Sequence, residues 1–250
     1  MFSLLLHPSP AQEDFLTADL WELGAAGISE EDEGIRAFFE ASADARRLID
    51  RLAGFRPELR QEADVDWARA TRDAWPPLIV GERFYLVAPW SEQAAPPGRV
   101  RLEIEPGMAC GTGRHPATQL CLEAMERFVR PRSRVVDIGT GSGILARAAT
   151  LLGVAGVIAC DIDPDAVEIA RRTPLVAVFT GSADALRGNS ADLIVANIDS
   201  AALEQLRDDL ARVRKPDSVM ILSGFPEDEL PHGFPSREVL RKDGWACVIC

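Results

Sequence analysis

The stretch Val135-Val136-Asp137-Ile138-Gly139-Thr140-Gly141-Ser142-Gly143, followed by Val157-Ile158-Ala159-Cys160-Asp161-Ile162-Asp163, decides how this chain folds. It reads as an apolar strand, a glycine turn, a helix and a second strand closed by an acidic residue. Glycines let the backbone turn tightly and approach a ligand closely, and the helix expected over 142–152 aims its N-terminal amides at the same place. Asp161 is positioned to accept hydrogen bonds from ribose hydroxyls. The layout is that of a nucleotide-type cofactor site.

Outward from this core, strands are expected at 134–138, 157–161, 176–180, 191–196 and 218–223, separated by helices near 142–152, 164–172 and 200–213. The tail from 237 to 250 reads as two more strands meeting at Asp243-Gly244, a hairpin signal. The expected α/β architecture is therefore a doubly wound, mostly parallel sheet ending in an antiparallel hairpin. The front of the chain follows another order: strand 3–7, helix 13–23, strand 27–31, a turn at Asp32-Glu33-Gly34, strand 35–40, helix 43–52 and strand 58–62. That βαββαβ sequence predicts a small ferredoxin-like α+β domain. Between the two lies a stretch with a helix-like 65–74, the breaker Pro76-Pro77, a strand over 84–88 and the loop Ala94-Ala95-Pro96-Pro97-Gly98. The expected division is a front domain over 1–64, a linker over 65–98 and the cofactor domain over 99–250.

With 250 residues and 47% hydrophobic content, the chain can bury a sizeable core. No apolar run approaches the ~20 residues that span a bilayer, and Met1-Phe2-Ser3-Leu4-Leu5-Leu6-His7 lacks the basic start and long apolar core of a signal peptide. A soluble, cytoplasmic protein with no membrane partner is expected. The five cysteines are scattered with no CxxC pair, so buried or incidental thiols are expected, with neither a disulfide framework nor a metal site. A net charge of −12 argues against direct nucleic-acid binding. The acid is concentrated at the front: residues 1–66 carry 15 Asp and Glu against 6 Arg, a net of −9 that leaves −3 for the rest. Such a module can steer a basic macromolecular partner, although a solvated surface gives the same count.

The glycines fall at 139, 141 and 143, whereas the dinucleotide fingerprint wants its third glycine at 144, which is Ile. Asp137 and Asp163 add negative charge near the turn, which suits an ammonium and a sulfonium better than a pyrophosphate. S-adenosylmethionine fits this pattern and NAD fits poorly. The antiparallel last hairpin points the same way, toward a class I methyltransferase sheet.

Two more segments bear on the site. Asp192-Leu193-Ile194-Val195-Ala196-Asn197-Ile198 is an apolar strand ending in a polar amide, and ligands sit at the carboxyl ends of strands in open α/β sheets. A turn role for that Asn is the plain alternative. Gly107-Met108-Ala109-Cys110-Gly111-Thr112-Gly113-Arg114-His115-Pro116-Ala117-Thr118 is a glycine-rich loop before an amphipathic helix expected over 119–128, placed to fold over the cofactor as a lid. His115 is a candidate general base there, although an orienting hydrogen-bonder is the commoner role for such a residue.

These residues resemble the PrmA family, the bacterial methyltransferases of ribosomal protein L11. The family's GTGxHxTT pattern and its following helix are matched by Gly111-Thr112-Gly113-Arg114-His115-Pro116-Ala117-Thr118 and Leu120-Cys121-Leu122, its cofactor turn by the run from Asp137 to Leu145, and its ribose strand by Asp161-Ile162-Asp163-Pro164. Val195-Ala196-Asn197-Ile198 and Leu222-Ser223-Gly224 resemble its later motifs, and the likeness continues upstream through Pro77-Leu78-Ile79-Val80-Gly81-Glu82-Arg83 and Leu20-Trp21-Glu22-Leu23-Gly24-Ala25. The resemblance implies S-adenosylmethionine bound at Thr118, Gly139, Asp161 and Asn197, to which the glycine turn adds Gly141; the chemistry of methyl transfer to an amine further predicts a catalytic role for Asn197, whose carbonyl oxygen orients the amine lone pair. The resemblance further implies a basic ribosomal-protein substrate methylated on lysine side chains and the terminal amine; a monomer is expected. The chain departs from the family in Ala117, in Cys110, in a short segment after Arg172, and in a Pro- and Gly-rich 226–235 where a long helix is expected. Competing readings are a methyltransferase of another protein, such as electron-transfer flavoprotein lysines, a non-catalytic cofactor-binding homologue, and an NAD-dependent oxidoreductase.

Overall fold

A computed structural model describes residues 1–8, 16, 20, 23–31, 34–61, 75–104 and 113–250. The chain divides into two compact units, Met1–Asp73 and Ala74–Cys250.

In the smaller unit, strands β1 (Phe2–Leu6), β2 (Gly27–Glu31), β3 (Gly34–Phe39) and β4 (Glu58–Gln61) form an antiparallel sheet in the order β2-β3-β1-β4. Alternate residues face one core: Phe2, Leu4 and Leu6 of β1 meet Ile35, Ala37 and Phe39 of β3, together with Leu48 and Leu52. Helix α1 (Ala45–Arg51) starts where the Asp44 side chain accepts a hydrogen bond from the Arg47 amide. Of the helix expected over 13–23, Leu16 and Leu20 are helical and buried, Leu23 already lies in a turn, and the rest lies outside the described residues.

The larger unit holds a seven-stranded sheet in the order β10-β9-β8-β11-β12-β14-β13, built from β8 (Arg134–Ile138), β9 (Gly156–Asp161), β10 (Val176–Thr180), β11 (Ala191–Asn197), β12 (Arg214–Pro226), β13 (Glu238–Lys242) and β14 (Trp245–Ile249). Strands β10, β9, β8, β11 and β12 pair in parallel, and β14 inserts antiparallel between β12 and β13. The expected mostly parallel sheet with an antiparallel terminal hairpin is thus present, and the hairpin turns at Asp243-Gly244, both at positive φ. The chain leaves β8 toward β9 and later returns to its other side with β11, which puts a topological switch point at the carboxyl end of β8.

Alternation along the strands sorts the two faces. Val135, Val157, Ala159, Leu193 and Val195 join a core with helices α2 (Pro116–Phe128) and α3 (Ile144–Leu151), while Val136, Ile138, Ile194 and Ala196 join another with α5 (Ser200–Val213). Each fully buried leucine, such as Leu193 or Leu203, stabilises by about 1.5–3 kcal/mol. Helix α4 (Pro164–Ala170) follows β9.

The stretch expected to be a linker differs. Its described part, 75–98, belongs to the larger unit and contributes β5 (Leu78–Val80) and β6 (Phe84–Val87), which pair with each other and, through β6, with β7 (Val100–Glu103). The strand expected over 84–88 is present as β6, while the short runs at β5 and β7 carried no strand signal and form because Val80, Phe84, Leu86 and Leu102 bury against the α2–α3 core. No helix lies between Pro226 and Glu238. Among the described residues, no helix is long and apolar enough to cross a membrane. Cys121, Cys160, Cys247 and Cys250 are free and buried, and Cys110 lies outside the described residues.

Candidate active site

Strand parity builds the site. Asp137, Asp161 and Asn197 share the parity of the residues that face α2 and α3, and each lies at the carboxyl end of β8, β9 or β11, three adjacent strands. Beyond β8 the chain turns through Gly139, Gly141 and Gly143, at φ 68°, 52° and 77°, a left-handed run open to glycine at little strain. The Gly139 and Thr140 amides donate to the Cys160 carbonyl at 2.9 and 3.0 Å, which ties the turn to β9. At Gly143 a Cβ would lie 3.2 Å from both Ala170 Cα and Thr173 Oγ1, so the third glycine serves close packing one residue earlier than the dinucleotide pattern requires.

Asp161 closes β9 with both oxygens engaged: Oδ2 accepts from the Gly141 amide at 2.9 Å and Oδ1 from the Asp163 amide at 3.0 Å. The carboxylate is thereby oriented beside the turn. Asp163 turns away to cap α4, accepting from the Asp165 amide at 2.9 Å.

Asp137 is fully buried. Its Oδ2 accepts from Thr140 Oγ1 at 2.7 Å and from the Ala146 amide at 3.0 Å, while Oδ1 has no hydrogen-bond partner among the described residues. Burial pushes its pKa up to about 6, and the nearby Asp161 charge adds to the rise; the bonds from Thr140 and Ala146 hold it back. A buried carboxylate with a vacant oxygen next to a glycine turn favours a cationic ligand group.

Asn197 ends β11, and its Nδ2 donates to Thr118 Oγ1 at 3.0 Å across 79 residues of sequence. That bond turns the Oδ1 of Asn197 away from Thr118. Thr118 is buried in the first turn of α2, which begins at Pro116, three residues earlier than the sequence suggests. Proline suits the first helical position, and His115 caps the helix with Nδ1 accepting from the Ala117 amide at 3.3 Å. The His115 ring also meets Trp245 edge-on, with centroids 4.3 Å apart. An imidazole whose lone pair already caps a helix is poorly placed to serve as a general base.

The sequence therefore names Thr118, Gly139, Gly141, Asp161 and Asn197, and the structure brings them to one end of one sheet. Thr140 and Trp245 were not foreseen; the spacing of Thr140 from Asp137 carried a weak signal, and Trp245 none. Most of the expected lid, 107–112, lies outside the described residues. Among the described residues, no group of three or more His, Cys, Asp or Glu side chains is placed to hold a metal.

Comparison with known proteins gives a consistent picture. The family model described as "Ribosomal protein L11 methyltransferase (PrmA)" matches residues 8–250. A ribosomal protein L11 methyltransferase of Symbiobacterium thermophilum is 38% identical over 96% of this chain and 82% of its own length. That of Ralstonia pickettii is 39% identical over 76% of this chain and 67% of its own. Among solved structures, a ribosomal protein L11 methylase from Lactobacillus delbrueckii subsp. bulgaricus superposes with a TM-score of 0.63 at 30% identity, covering 69% of this chain and 96% of the other.

Proposed function

The chain belongs to the ribosomal protein L11 methyltransferase family, and on that basis we propose that it transfers methyl groups from S-adenosylmethionine to amines of ribosomal protein L11, on lysine side chains and the terminal amine. The observation that carries the reading is the Asn197–Thr118 hydrogen bond of 3.0 Å at the end of β11, beside the glycine turn that follows β8.

The residues present suit this cofactor. Asp137 offers a buried, unpartnered oxygen next to the turn, and Asp161 an oriented carboxylate at the neighbouring strand end. Cationic ligand groups complement both, whereas a pyrophosphate would be repelled. When bound, S-adenosylmethionine supplies a methyl group activated on a sulfonium. Asp161 accepts from the ribose hydroxyls, Gly139 and Gly141 admit close approach of the ligand, and Thr118 and Asn197 border the methyl end.

Transfer to an amine needs a neutral nitrogen held about 3 Å from the methyl carbon, opposite the sulfur. A lysine of pKa about 10.4 must first lose a proton, and desolvation at the site lowers that value. The Asn197 Oδ1 accepts an N–H of the incoming amine and aims its lone pair, with Thr118 fixing the amide's orientation. His115 stays at its helix cap and no dedicated base is required. Such a substrate places the reaction in the cytoplasm, and the acidic 1–64 segment serves as the recognition domain for a basic protein.

Incubation with isotope-labelled S-adenosylmethionine and unmodified L11, followed by peptide mapping, tests the reading. Label on L11 lysines or its terminal amine is the expected result; an unlabelled L11 with label on another protein would redirect the substrate assignment.

A further inference from the structure

We infer that Ile198, seated between two glycines, sets the position of Asn197, so that Gly224 and Ile198 are positioning residues for methyl transfer; this rests on the catalytic role proposed for Asn197.

The seat is built where β8 and β11 end beside the still-paired β12. Strands β11 and β12 run parallel with Asn197 opposite Ser223, so Ile198, just past the end of β11, lies beside Gly224, where β12 continues toward Pro226. Gly224 stands at φ 105°, a conformation that side-chain-bearing residues rarely adopt, and the register of β12 against β14 shifts between Ser223 and Phe225. Gly224 is the extra residue of that bulge. A Cβ there would fall 2.5 Å from the carbonyl oxygen of Ile198, 2.6 Å from its amide nitrogen and 2.7 Å from its carbonyl carbon. All three are main-chain atoms, which cannot swing aside as a side chain does.

The other half of the seat belongs to the glycine turn. A Cβ at Gly139 would fall 2.4 Å from Ile198 Cγ2. Ile198 thus rests its side chain on the turn and its backbone on the bulge. Asn197, one residue upstream, is held by the ladder to β12 before it and by this seat after it. Its Nδ2 reaches Thr118 Oγ1 at 3.0 Å from that position. A methyl group added at Gly224 must displace the Ile198 main chain, and the Asn197 amide moves with it. Ser223 anchors the bulge from below, its hydroxyl donating to the Ala246 carbonyl at 2.7 Å, so the displacement falls on Ile198 more than on Gly224.

The test uses full-length protein carrying Gly224→Ala or Ile198→Ala, each alone and combined with Asn197→Ala, and measures single-turnover methylation of L11 at saturating S-adenosylmethionine together with melting temperature. Each single variant is expected to slow the step by about tenfold or more, and to slow the Asn197→Ala enzyme no further. A purely architectural bulge would lower the melting temperature and leave the rate unchanged below it. Wild-type rates in both single variants, or effects that multiply with Asn197→Ala, overturn the inference. If Gly224→Ala does not fold, Ile198→Ala decides by the same criterion. Should Asn197→Ala itself run at wild-type speed, the catalytic reading of Asn197 fails; a slow Asn197→Ala beside unimpaired Gly224→Ala and Ile198→Ala sinks the positioning role alone.

Discussion

Asp137 concentrates the physics of the site in one side chain. Its carboxyl is raised from 3.8 to about 6 chiefly by burial, so between those values the folded chain keeps a proton that the unfolded chain has released. The ligand-free protein therefore loses stability as pH rises through this window, on the order of 3 kcal/mol from this group, and the loss is complete above about pH 6. A cationic cofactor reverses the preference, because it favours the ionised carboxylate. Calorimetric titration should find S-adenosylmethionine affinity falling as pH drops below about 6, and Asp137→Asn should bind more weakly with that dependence flattened. An equally steep pH dependence in Asp137→Asn would assign the titration to another group.

Helix α2 shows how an element's start places a candidate site residue. His115 and Pro116 move the helix origin upstream, and Thr118 becomes a first-turn residue fixed for its bond to Asn197. His115→Ala should remove the cap and the Trp245 contact, lowering the melting temperature by about 2–4 °C for each kcal/mol lost, of which the cap accounts for about 1. His115→Asn, which can still cap, should recover much of the stability and keep near-normal turnover; a large loss of turnover in His115→Asn at unchanged melting temperature would restore the general-base role. The strands around the turn were legible because their apolar runs are long and bounded by glycines and acids, as in 134–138 and 191–197. Strands β5 and β7, of three and four residues, were not, since their pairing and burial come from distant partners. For the same reason, although Leu222-Ser223-Gly224 resembles a family motif, the positioning role inferred for Gly224 was not legible. Its positive φ and its approach to Ile198 arise from chain crossing, as does the bond between Thr118 and Asn197.

On the scale of the molecule, charge and division into units bear on how the substrate arrives. The net charge of −12 is weighted to the front, where residues 1–66 hold −9. Such a field reaches roughly a Debye length, about 8 Å at physiological salt, and on the proposed function it steers a basic ribosomal protein. Raising ionic strength should therefore lower kcat/KM for L11 while leaving kcat nearly constant, measured as initial methylation rates across a salt series; a flat kcat/KM would remove the steering role. On the proposed function the chemistry belongs to the larger unit, where three adjacent strand ends and one helix start meet. The most direct test is single-turnover methylation of L11 by Asn197→Ala at saturating S-adenosylmethionine. A fall of about 100-fold with the fold intact is predicted for a lost orienting group; turnover equal to wild type would contradict the site.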